Sequence, residues 1–148
     1  MADMGLRKVK LIIESDLDDV PLVGIAVNRF CSYAAFSETE AFNIELCVIE
    51  AVTNSIKHAY GEQNGQEVVI IFTLSDNEAV FEICDKGKPM DPNRLKRAGL
   101  ATSHVEKQNI DSIADSGRGL GIMKEIMDEV EYRSENGFNC LVLKKKIS

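Results

Sequence analysis

Glu50, Asn54 and His58 are spaced four residues apart in the segment EAVTNSIKH. In a helix that spacing stacks a carboxylate, an amide and an imidazole along one face, a polar rail beside an apolar stripe. A half-exposed polar helix face reads the same way. The second segment is Asp85-Lys86-Gly87-Lys88-Pro89. A carboxylate at a strand end can accept an amino proton from a base, and glycine lets the backbone come close to a ligand. Asp and Gly are equally suited to a plain turn. The third is Gly117-Arg118-Gly119-Leu120-Gly121. Glycines opening a helix expose backbone N–H groups where the helix dipole favours phosphate, and Arg118 adds a fixed positive charge. A flexible loop with a glycine cap has the same composition. No βαβ unit accompanies the glycines, which argues against a Rossmann dinucleotide site.

The elements that must position these groups follow from periodicity. Lys8 to Glu14 reads as a first strand, and Pro21, behind Asp18 and Asp19, opens a helix to about Tyr33. Ser37 and Glu40 form a capping box for a second helix to about Tyr60, ended by Gly61. Phe42, Leu46, Ile49, Val52 and Ile56 are its expected buried stripe. Glu67–Leu74 and Glu78–Cys84 are strands joined at Ser75-Asp76-Asn77. Asp85 to about Gly117 is long for a plain connection and reads as a lid. A helix from Leu120 to Met127 then precedes a hairpin, Glu129–Ser134 and Asn139–Lys146, around Asn136-Gly137. Hairpin-linked strands imply an α+β two-layer sandwich, its antiparallel or mixed sheet carrying helices on one face.

The bulk composition narrows the function classes. One domain spanning residues 1–148 suits this length. Hydrophobic residues at 45% and charged residues at 28% fit a globular chain, and a net charge of −7 argues against a nucleic-acid ligand. The run Lys144-Lys145-Lys146 reads as a solvated sheet edge. Cys31, Cys47, Cys84 and Cys140 show no CxxC or zinc-like spacing and lie in apolar stretches, where free cysteines pack as small hydrophobes. That usage, with no signal peptide and no apolar run of membrane-spanning length, leads to the expectation of a reducing, cytoplasmic setting.

Taken in order, the three segments resemble the N-box, G1 box and G2 box of the GHKL ATPases, the superfamily of gyrase, the histidine kinases and MutL. The stretches Glu50-Ala-Val-Thr-Asn54 and Asp85-Lys-Gly-Lys-Pro-Met-Asp-Pro92 are similar to the anti-sigma factor serine/threonine kinases of that superfamily. The resemblance covers nearly the whole chain and implies the Bergerat ATP-binding fold, with ATP and Mg2+ as ligands. By that resemblance Asn54 holds Mg2+ bridging the phosphates, and Glu50 is the general base toward a protein hydroxyl. Asp85 binds the adenine amino group, and Gly87 lets the base sit flush. Gly117, Gly119 and Gly121, with Leu120 between them, hold phosphate through backbone amides. Arg118 and His58 are candidates to approach the nucleotide. The implied partners are a STAS-type anti-sigma factor antagonist as substrate, a sigma factor and a second copy in a homodimer. One departure stands out. Many superfamily members have Gly-Thr entering the last strand, whose threonine supports the adenine-binding aspartate; here Gly137 is followed by Phe138 and Asn139.

No domain with a phospho-accepting histidine accompanies these motifs, as a two-component kinase would need. The runner-up is a nucleotide-gated module that sequesters a partner without kinase turnover, and Glu50 speaks for the enzyme because a pure binder has no need of a base. An ATPase machine like gyrase or MutL would carry further domains to use the hydrolysis.

Overall fold

The computed structural model describes residues 5–98 and 118–147, and of Arg118 only the backbone. The strands β1 (Arg7–Glu14), β2 (Glu67–Leu74), β3 (Glu78–Asp85), β4 (Glu129–Glu135) and β5 (Phe138–Lys146) form one sheet in the order β1-β2-β3-β5-β4. Every neighbouring pair is antiparallel. The helices are α1 (Val20–Tyr33), α2 (Glu38–Asn54), α3 (Pro92–Arg97) and α4 (Arg118–Ile126).

Alternation along the strands decides which face is covered. Val68, Ile70, Phe72 and Leu74 of β2 are buried, as are Ala79, Phe81 and Ile83 of β3 and Leu141 and Leu143 of β5. They meet Val23 and Val27 of α1, Ile44, Val48 and Val52 of α2, and Leu120 and Met123 of α4 in one core cluster. Partly buried Phe30 packs against buried Phe72 and Phe81 as tilted and edge-on rings with centroids 5.1, 5.8 and 5.7 Å apart, a geometry that aligns ring edges with ring faces.

The capping box at the start of α2 is present in both directions: the Glu40 N–H donates to Ser37 Oγ and the Ser37 N–H donates to the Glu40 carboxylate. The buried stripe is displaced from the expected one. Ala41, Ile44, Cys47, Val48, Ala51 and Val52 face the core, whereas Phe42 is 62% exposed and Leu46 and Ile49 are only half-buried. Small residues on the inner side let α1 come close: a Cβ on Gly24 would stand 2.8 Å from Ile49. Ile49 is therefore held at the helix–helix seam and not in the core centre. The helix also does not run on as α-helix to Tyr60. Residues Ser55–Ala59 form a π-helical turn, with the Tyr60 N–H donating to the Ser55 carbonyl, and Gly61 follows with a positive φ of 59°.

Two further expectations change. The Lys144–Lys146 run is not at a sheet edge, since β5 lies between β3 and β4. Lys144 bridges Glu129 and Glu131 at 3.5 and 3.7 Å, and Lys145 Nζ donates to the Ile126 carbonyl at the end of α4. The cysteines are not all free. Cys84 and Cys140 occupy directly facing positions on β3 and β5 and form a disulfide on the sheet face away from the helices. The inference of a reducing compartment loses its premise for that pair. Cys31 and Cys47 are free and buried, with thiols pushed up to about 12, chiefly by desolvation. Among the described residues no helix is long and apolar enough to cross a membrane. Mapping under non-reducing conditions should recover the Cys84 and Cys140 peptides linked. Brief alkylation of the folded protein at pH 8 should leave Cys31 and Cys47 unlabelled. Rapid labelling of all four would contradict the pairing.

Candidate nucleotide site

A cavity of about 490 Å³ opens between the end of α2, the end of β3 and the start of α4. Asn54, His58, Asp85 and Leu120 all line it, so four of the residues singled out in the sequence converge on one space. Ala51, Ile83, Met90 and Leu141 give it apolar walls. A mostly apolar slot with a few placed polar groups suits a flat heterocycle.

Asp85 is the most constrained polar group there. It ends β3 and is only 7% exposed. Its Oδ1 accepts hydrogen bonds from the Gly87 N–H at 3.0 Å and from Asn139 Nδ2 at 2.9 Å. The same Asn139 nitrogen donates to the Gly87 carbonyl at 2.9 Å, and Ser134 Oγ donates to Asn139 Oδ1 at 2.6 Å. Asp85, Asn139 and Ser134 form one row across β3, β5 and β4. Asn139, in the last strand where the expected threonine is missing, thus supplies direct support for the carboxylate.

Gly87 is required by the protein itself. A Cβ there would lie 2.3 Å from the carbonyl oxygen of Ala59 in the π-turn, and the neighbouring Lys88 N–H donates to that same carbonyl. The glycine therefore docks the loop after β3 onto the end of α2. The loop then continues past Met90, whose N–H donates to the Tyr132 hydroxyl, into α3, an element not expected from the sequence. Burial raises the Tyr132 phenol above its usual range, which keeps the hydroxyl protonated and neutral.

Glu50 stands apart from the cavity lining. Gly119 in the first turn of α4 covers it: a Cβ on Gly119 would be 2.8 Å from Glu50 Oε2. The expected single rail of Glu50, Asn54 and His58 is therefore divided. The π-turn begins just after Asn54, and Asn54 and His58 face the cavity while Glu50 lies beneath the neighbouring helix start. His58 is exposed at the rim, and Gly121 is buried within α4. Gly117 and the side chain of Arg118 lie outside the described residues. Lys88, Arg94, Tyr132, Asn139 and Ser134 were not singled out by sequence. Lys88 and Arg94 bring positive charge to the cavity of an acidic protein. Lys88 lies within the second motif, and its neighbours there were the available signal.

The model of the histidine kinase-like ATPase domain matches residues 13–145. The chain belongs to this family. Among curated relatives it is 25% identical over 138 residues to the serine-protein kinase RsbW of Bacillus thuringiensis (strain Al Hakam), covering 93% of this chain and 84% of the relative. It is 27% identical over 137 residues to the protein of the same name from Staphylococcus aureus (strain bovine RF122 / ET3-1), covering 92% and 85%. The fold matches a chain in the crystal structure of the SiaB–SiaC complex from Pseudomonas aeruginosa at a TM-score of 0.56 and 16% identity, over 93% of this chain and 89% of that one. The α+β architecture and the GHKL-type motif order agree with these matches, and a histidine kinase-like ATPase domain implies use of a nucleotide.

The two glycines should separate stability from chemistry. Gly87→Ala drives a methyl into backbone and should cost roughly 1–3 kcal/mol in denaturant melts. Gly119→Ala meets only the movable end of Glu50, so it should change stability little while displacing that carboxylate. Equal melting curves for Gly87→Ala and the parent would contradict the tight contact with Ala59.

Proposed function

We propose that this chain is a Mg-ATP-dependent serine/threonine protein kinase and anti-sigma regulatory factor whose substrate is a STAS-type anti-sigma factor antagonist. The observation that carries the nucleotide half is Asp85. Its Oδ1 is occupied by two donors from the protein, at the edge of a cavity that also contains Asn54. A buried acceptor with capacity remaining is suited to the amino group of adenine. The names of the relatives support the kinase half.

The donor set fits Mg2+ arriving with the nucleotide. Among the described residues no cluster of three or more His, Cys, Asp or Glu side chains could hold a metal by itself. The Asn54 amide offers one hard oxygen, which matches an ion that takes most of its ligands from phosphates and water. Bound there, the ion would neutralise phosphate charge. The backbone amides at the start of α4 around Gly119 would add electrostatic support, and Lys88 and Arg94 bring cations to the same cavity.

In the transfer step, a serine or threonine hydroxyl oxygen of the partner attacks the γ-phosphorus. The bond to the β–γ bridging oxygen breaks and ADP departs. Glu50 takes the hydroxyl proton. For this the carboxylate must turn out from under Gly119 toward Asn54. A homodimer and a sigma factor as a second partner belong to the same proposal, and both rest on the family resemblance.

The covered position of Glu50 also favours a second reading, a nucleotide-gated module that sequesters its partner with little turnover. One experiment divides the two. Purified protein and Mg-ATP are mixed with each STAS-domain protein encoded in the same genome, and intact masses are read for addition of one phosphoryl group. The kinase reading expects addition to a partner serine or threonine. Glu50→Gln should retain nucleotide affinity and lose roughly 10²–10⁴ in rate, the usual contribution of a positioned base. Asn54→Ala should lose Mg-dependent binding. Tight ATP binding with no phosphoryl transfer to any partner selects the sequestering module.

A further inference from the structure

Asn139 is 1% exposed, and every polar atom of its amide is committed. The orientation of that amide is fixed by its neighbours. Asp85 Oδ1 and the Gly87 carbonyl are both acceptors, so the nitrogen must face them; the oxygen then accepts from Ser134. All the donors in this row run in one direction, from Ser134 through Asn139 to Asp85.

We infer that Asn139, oriented by Ser134, is the positioning residue that fixes which purine Asp85 selects. This rests on the proposed adenine reading and deepens it. With Oδ1 held by two donors, Asp85 presents Oδ2 to a ligand as a pure acceptor. An acceptor there welcomes a 6-amino group and repels a 6-keto group. Without the Asn139 donor only the Gly87 N–H still holds Oδ1, so the carboxylate is less firmly oriented and its discrimination between the two groups falls. The same network dictates the behaviour of Asp85→Asn. Two donors still point at the Oδ1 position, so the new amide must place its oxygen there and turn its NH2 outward. The variant therefore offers a donor and favours the keto base.

The test compares binding of ATP with binding of inosine triphosphate, which differs at the 6-position, by calorimetry in Mg2+. Asn139→Val and Asn139→Thr form the informative pair, because their side chains share shape and strand preference and differ in one hydroxyl donor. The Val variant should lose about tenfold of the parent's preference for ATP, on the scale of one charge-assisted hydrogen bond. The Thr variant should keep more of it. A residue that only filled space would treat the two alike. Ser134→Ala should shift the ratio in the same direction by a smaller factor, and it carries the test alone if Asn139→Val does not fold. Asp85→Asn is the reference. If it leaves the ratio unchanged, the adenine reading fails and this inference with it. If it changes the ratio while Asn139→Val and Ser134→Ala both keep the parent value, the positioning role is overturned and the adenine reading stands.

Discussion

A carboxylate closed off from water must have its charge met by fixed donors, because burying an uncompensated charge costs far more than any one contact returns. Asp85 imposes that condition at the end of β3, and much of the surrounding structure answers it. The register of β3 against β5 places Asn139 directly opposite, and the register of β5 against β4 places Ser134 behind that. The bend after β3 brings the Gly87 N–H back onto the same oxygen, and the absent Cβ of Gly87 lets that bend rest on the Ala59 carbonyl. Strand register, loop path and the end of α2 are thus coupled through one side chain.

The π-turn at Ser55–Ala59 belongs to the same arrangement. The carbonyl of Ala59, the last residue of that turn, has no donor within the helix. It accepts from the Lys88 N–H instead. Tyr60, next in sequence, donates its hydroxyl proton to the Glu67 carbonyl and accepts from the Lys86 N–H. Two consecutive residues at the helix end therefore hold the loop after β3, one through main chain and one through a phenol. On the far side of the cavity Tyr132 and Lys124 perform the corresponding task. Tyr132 accepts from the Met90 N–H, and Lys124 Nζ donates to the Leu95 and Ala98 carbonyls at the end of α3.

Much of this was legible in the sequence. Alternation in Glu67–Leu74 and Glu78–Cys84, the capping box at Ser37 and the turn at Asn136-Gly137 located the strands and the start of α2 to within a residue or two. Motif spacing brought Asn54, His58, Asp85 and Leu120 to one cavity. What escaped was set by partners distant in sequence. The helical pattern of apolar residues fits two faces of α2, and packing in the tertiary core selects the one that leaves Phe42 facing solvent. The hydrogen bond from the Lys88 N–H to the Ala59 carbonyl joins residues far apart in sequence, which no local propensity encodes. Cys84 and Cys140 are 56 residues apart, and their pairing follows from strand register. Asn139 looked like a lost threonine because a pattern of residue types does not show that an amide can supply the same donor.

The disulfide has a consequence for the lifetime of the protein that is separate from its chemistry. It links strands already held by backbone hydrogen bonds, so its main effect falls on the unfolded chain, where closing a loop of 56 residues removes entropy equivalent to about 4 kcal/mol. Oxidised and reduced molecules would then differ in how often they open to a protease. The redox state of the surroundings would thereby act on the lifetime of the folded chain.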